Sequence, residues 1–173
     1  MKRFSKSSKA APESALAGRP VAASRTAMVE LVLQQDANPL GFILGGRVMH
    51  LIDIAGAIAT HRHCNSHAVT ASVDSVNFLN PIRVGELILL HAQVNRAFKT
   101  SVEVGVNVYS ENFITGQRKH TTSALVTFVA IDENRNSRPV PPLIVKTAAE
   151  RRRFIEAGRR REARLAARVK HRK

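Results

Sequence analysis

At 173 residues with a single cysteine, Cys64, the chain is one domain's length, with no internal disulfide and no cysteine-rich zinc site to staple it. Its net charge of +14 sits at the ends: residues 1–25 carry +5, residues 146–173 carry +9, and residues 26–145 balance nine basic against nine acidic side chains. A neutral body with one Tyr and no Trp excludes a basic, stacking nucleic-acid surface built into the domain, so no specific nucleic-acid partner is expected.

Residues 1–25 hold one acid, Glu13, among Lys, Arg, Ser and Ala. That composition is read as a basic disordered tail, with an organellar transit peptide as the lesser alternative; it lacks the apolar core of a secretory signal. No run approaches the roughly 18 uncharged apolar residues of a membrane span. Lone-cysteine usage fits a reducing compartment, and a soluble cytoplasmic protein is expected.

The segment TAMVELVL, residues 26–33, predicts a short strand, followed by a polar, Pro- and Gly-marked loop, QQDANPLGFILGG, residues 34–46. From Arg47 to about His63, Val48, Leu51, Ile52, Ala55, Ile58 and Ala59 recur at helical spacing. The small residues Ala55, Gly56, Ala57 and Ala59 suit a helix wrapped by another element. Four strand-like runs come next, at residues 68–78, 87–98, 101–110 and 119–131, separated by turn signals at Asn80-Pro81, Lys99-Thr100 and Thr115-Gly116. Val102, Val104, Val106 and Val108 mark one face of the third run, and Ala124, Val126, Phe128 and Ala130 one face of the fourth. This order predicts an α+β domain over residues 26–135, its antiparallel sheet curled around one helix and its open edge covered by a second subunit. A Pro-rich connector, residues 136–146, leads to a basic helix from Thr147 to about Val169, with a Thr147/Glu150 capping box. Phe154, Ile155 and Leu165 are its expected apolar contacts.

Gly45-Gly46 at the start of the central helix offers unpaired backbone N–H groups and the positive end of the helix dipole, a place to hold an oxyanion. Asp53, seven residues after Gly46 and on the same face, is an acid in an apolar run. It either pairs with a neighbouring strand or chain or does chemistry. His61, His63 and Cys64 lie together but lack a second cluster at ligand spacing, so helix-end hydrogen bonding is the expected role and no metal site is assigned. Asp74 and Asn77 alternate along one strand, facing either a partner's site or solvent.

Taken together, NPLGFILGGRVMHLIDIAGAIATHRHCN and VTASVDSVNFLNPIRVGE resemble the cytosolic long-chain acyl-CoA hydrolases of the hotdog thioesterase family, with likeness from about Thr26 to Ala130 and in the connector and final helix. The resemblance implies a hotdog fold, with a long helix wrapped by a curved five- to six-stranded sheet. It implies hydrolysis of fatty acyl-CoA to free fatty acid and CoA without a cofactor, by hotdog dimers, often trimers of dimers. The family's catalytic pair, contributed across the dimer, matches Asn38 and Asp53. The resemblance places pantetheine and diphosphate contacts near Lys99, Thr100 and Ser101. Arg151 and Arg152, with the rest of two arginine triplets, are either a solvated face or contacts for the CoA 3′-phosphate or another polyanion. The rival readings are an acyl-CoA-binding module without hydrolysis and a nucleic-acid binder acting through the arginine tail.

Overall fold

The computed structural model describes residues 16–170, with side chains described to residue 167. The strongest apolar periodicity becomes helix α1, Gly45–Cys64. Its Val48, Leu51, Ile52, Ala55 and Ala59 form one buried stripe. The helix begins two residues earlier than periodicity implies, because glycines carry no apolar signal: Leu44, in extended conformation, is the N-cap, and Gly45 and Gly46 form the first turn. At the other end Asn65 adopts the left-handed conformation (φ 49°) and donates its N–H to the His61 carbonyl. A β-carbon at Gly56 would stand 2.7 Å from the Phe128 ring, so a side chain there would force the helix off the sheet.

The sheet that wraps this helix has five strands, β2 (Thr26–Leu31), β3 (His67–Phe78), β4 (Leu87–Ala97), β5 (Ser101–Glu111) and β6 (Arg118–Ile131). They lie in the order β2-β4-β5-β6-β3, every neighbouring pair antiparallel. The expected alternation holds: the even-numbered valines of β5 and the Ala124-to-Ala130 set of β6 are buried in the core with the helix stripe. Register shifts between Thr70 and Ser72 and between Val73 and Ser75 in β3, and between Val94 and Arg96 in β4, mark bulges that bend the strands and re-aim side chains. The edge strands are β2 and β3, and β3 leaves Val69 and Val73 about half exposed.

Two expectations need correction. The segment before Thr26 does not stay outside the domain: strand β1 (Arg19–Pro20) pairs in parallel with β7 (Leu143–Ile144), and a 3₁₀ turn, Val21–Ser24, buries Val21 and Ser24. One buried Val among small and polar residues gives too little periodicity to signal this. Residues 1–15, on which the tail and transit-peptide readings mainly rest, lie outside the described residues. The final helix, α2 (Ala148–Lys170), does start on the expected capping box: Glu150 N–H donates to Thr147 Oγ1 at 3.1 Å, and the Glu150 carboxylate accepts the Thr147 and Lys146 N–H groups. Its docking face differs, since Ile155 and Leu165 are about half exposed and the buried positions are the capping Glu150 with Ala157 and Gly158. The small residues let the helix approach Arg96, whose guanidinium donates to the Phe154 carbonyl and lies 4.3 Å from the Phe154 ring centroid.

Candidate active site

Asn38 is held in a tight loop between β2 and α1. Its Oδ1 accepts the N–H groups of Leu40 (3.0 Å) and Phe42 (3.2 Å), and its own N–H donates to the Phe42 carbonyl. Gly41, at φ +78°, makes the reversal possible. With its oxygen committed to the loop, the Asn38 amide nitrogen is the group left to point outward.

Asn38 and Gly45 share one cleft of about 350 Å³ with Phe42, Val48, Phe78 and Ile82. The N–H groups of Gly45 and Gly46 find no acceptor among the described residues, as expected for a first helical turn. A β-carbon at Gly46 would meet nothing within 4 Å, whereas one at Gly45 would stand 3.6 Å from the Phe78 ring, so Phe78 flanks the first turn. The cleft is therefore an apolar slot with hydrogen-bond donors and a helix dipole at one end, suited to an acyl chain whose carbonyl oxygen gains charge.

Asp53 does not line this cleft. It sits on the exposed side of α1, and Thr70 Oγ1, from β3, donates to its Oδ1 at 2.5 Å. Within one chain the fold thus gathers Asn38 with the glycine amides and sets Asp53 apart, beside the open edge strand. Thr70 is the residue that sequence reading missed: a threonine in a strand carries no chemical signal until the helix that faces it is known.

His61 Nδ1 bonds the Ser66 carbonyl at 3.2 Å, and His63 Nε2 the Pro141 carbonyl at 2.9 Å, the helix-end role expected of them. Burial pushes the Cys64 thiol up to about 11, which leaves it protonated and unreactive at neutral pH. Asp74 faces neither the cleft nor open solvent; it is paired with Arg164 of α2 and accepts the Ser72 hydroxyl. Asn77 lies on the outer face of the sheet, beside Asn107 and Arg153. In the Lys99-Thr100-Ser101 turn, Lys99 is exposed and Thr100 half-buried, whereas Ser101 is buried with its hydroxyl accepting from Arg161 at 3.3 Å. Arg151 and Arg152 are exposed at the start of α2, where Arg152 lies 3.9 Å from Glu156. The turn meets Arg161, not these two, so the structure does not gather the expected CoA contacts within one chain.

A family model described as the thioesterase superfamily matches residues 40–114. A crystal structure of an apo-hexameric acyl-CoA thioesterase superposes with a TM-score of 0.84 at 41% identity, covering 88% of this chain and 97% of that one. An acyl-CoA hydrolase from Staphylococcus aureus, solved with butyryl-CoA, CoA and CoA disulfide, gives 0.82 at 30% identity, covering 89% and 94%. The uncharacterized acyl-CoA thioester hydrolase YkhA of Bacillus subtilis is 36% identical over 127 residues, 73% of this chain and 74% of YkhA. The chain spans only a quarter of mouse acyl-coenzyme A thioesterase 11, at 36% identity, and 36% of the human cytosolic acyl coenzyme A thioester hydrolase, at 34% identity. Among the described residues no helix is long and apolar enough to cross a membrane. The fold, the cleft and these likenesses converge, and the chain belongs to the hotdog-fold acyl-CoA thioester hydrolases of the thioesterase superfamily.

Proposed function

We propose that this hydrolase cleaves fatty acyl-CoA to fatty acid and CoA at a site split between two subunits, with Asp53 of one facing Asn38, Gly45 and Gly46 of the other. The observation that carries this is the separation within one chain: Asn38 and Gly45 share the cleft, while Asp53 and Thr70 lie beside the unpaired edge strand. Pairing of β3 with a second β3 brings the two halves together and covers the half-exposed valines. The relatives add a further argument. In the Staphylococcus aureus hydrolase, variants have been solved in which an asparagine, an aspartate or a threonine is replaced by alanine, and these three stand 15 and 17 residues apart, as Asn38, Asp53 and Thr70 do here.

Thr70 donates to Oδ1 and so orients the carboxylate, leaving Oδ2 to act. As general base it takes a proton from water, whose oxygen adds to the thioester carbonyl; as nucleophile it adds directly and water then cleaves the anhydride. In both routes the carbonyl oxygen becomes an oxyanion held by the Gly45 and Gly46 amides and the Asn38 amide nitrogen, donors worth about 3–4 kcal/mol each when removed from such sites. Collapse of the oxyanion breaks the C–S bond, giving the acid directly when water has added and the anhydride, before its hydrolysis, when Asp53 has added; the leaving thiolate takes up the proton released by the attacking water. Lys99, Thr100, Arg151 and Arg152 are offered to the CoA phosphates, drawn together from different subunits, with Ser101 serving the turn through Arg161. Assembly as a trimer of dimers follows the hexameric relatives, and a cytoplasmic location follows those named cytosolic.

Thiol release measured across acyl-CoAs from acetyl to palmitoyl tests the reading. Asp53→Ala and Asn38→Ala should each lower turnover at least about a hundredfold with the oligomer and its melting intact, the usual range for general acid–base groups being about 10²–10⁴. Thr70→Val should lower it less. Near-normal turnover in a well-folded Asp53→Ala protein moves the chemistry elsewhere.

A further inference from the structure

Asn38 and the Gly45-Gly46 amides stand on different elements, a loop and a helix, yet they must hold one oxygen atom between them. A single side chain ties those elements together. Arg47, in the first turn of α1, donates Nε to Asp36 Oδ1 at 3.1 Å and Nη2 to Glu30 Oε2 at 2.7 Å. Asp36 lies two residues before Asn38 and is itself part of the loop's frame: its carbonyl accepts the Leu44 N–H at 2.9 Å, and its Oδ2 accepts the Leu33 N–H at 3.3 Å. Glu30 lies on the same side of β2 as half-buried Met28, which packs against the core. The guanidinium is therefore anchored on strand and loop at once, and all three side chains are at least about two-thirds shielded from water, Asp36 the most.

We propose that Arg47 is a positioning residue for thioester hydrolysis, locking the Asn38 loop against the first turn of α1 so that the Asn38 amide and the Gly45 and Gly46 N–H groups keep one geometry. This rests on the oxyanion role given to those donors above. Arg47 does not line the cleft; it acts through Asp36. Its planar fork with two fixed donors can serve two carboxylates, which a lysine ammonium on a flexible stem does poorly. A donor set that is loose by about 1 Å costs as much as about 10²-fold in rate, and the loss falls on the transition state, where the oxygen carries charge, rather than on substrate binding.

The experiment compares the unmodified protein with Arg47→Met, Asp36→Asn and their combination, by thiol release from a saturable acyl-CoA and by hydrogen exchange over residues 34–46. Each single variant should lower kcat about tenfold with KM little changed. The combination should be no worse than the poorer single variant, because both remove one interaction, and exchange over the loop should quicken in all three. Unchanged kcat in an intact Arg47→Met oligomer, a rise in KM alone, or losses that multiply in the combination would overturn the proposal. If Arg47→Met does not fold, Arg47→Lys and Glu30→Gln each loosen one contact, and wild-type kcat in both overturns it equally. Loop exchange needs no turnover, so a protein whose loop loosens as expected but which releases no thiol in any form refutes the oxyanion reading and leaves the clamp standing.

Discussion

His63 ends α1 with its ring buried, Nε2 bonded to the Pro141 carbonyl and Nδ1 without a partner among the described residues. Burial holds its pKa below the ordinary value of about 6.5, the Pro141 bond opposes this and nearby Arg19 reinforces it. In the unfolded chain the ring takes a proton as pH falls through about 6.5, whereas the folded ring stays neutral to lower pH. The stabilisation is therefore complete above about pH 6.5 and is lost progressively as pH falls from there toward the depressed folded value. Melting followed between pH 8 and pH 5 should show a fall in the unmodified protein that is smaller in His63→Gln, whatever the mutant's absolute stability. An equal slope in both would place the acid sensitivity elsewhere.

At the scale of an element, α2 shows how far a basic helix can differ from a solvated one. Glu103, outward on β5 and almost wholly buried beneath α2, receives both Nε (3.1 Å) and Nη2 (2.7 Å) of Arg160 and the Asn95 amide at 3.2 Å. Arg161 lies over the Phe98 ring and Arg164 pairs with Asp74. Arg160, Arg161 and Arg164 thus staple the helix across the outer face of the sheet, while Arg151, Arg152 and Arg159 stay exposed. Removing one member of such a pair leaves a buried charge uncompensated, at a cost of about 3–5 kcal/mol. Arg160→Met should accordingly lower the melting temperature by several degrees, and Glu103→Gln in the same chain should restore most of it. A single Arg160→Met variant that melts like the unmodified protein would show that α2 is held by its small-residue contact with Arg96 instead.

For the whole molecule, the unpaired β3 edge and the separation of Asp53 from Asn38 have one consequence that can be measured directly. Mixed under exchange conditions, Asn38→Ala and Asp53→Ala subunits should form some heterodimers with one intact site. Activity should then partly recover from two nearly dead parents. Mixtures shown by mass to be hetero-oligomers yet as inactive as the parents would place the whole site within one chain.

Much of this molecule was legible without coordinates, because the elements have strong periods of their own. The α1 stripe at three- and four-residue spacing, the alternating valines of β5 and the Thr147/Glu150 cap are local patterns that local physics reads, and all three form as expected. The family was legible from the segments around Asn38 and Asp53. What alternation cannot carry is what lies over a face. Glu103 reads as an ordinary outward residue until α2 docks on it, and Thr70 as an ordinary strand residue until α1 puts Asp53 against it. Bulges add to this, since one extra residue in a strand shifts the side chains beyond it, and Asn95 and Asp74 both sit at such shifts. Local composition determined which segments became helix, strand and turn; only the packing of segments distant in sequence decided which polar groups were buried and paired, because burial depends on neighbours that the chain's own period does not specify.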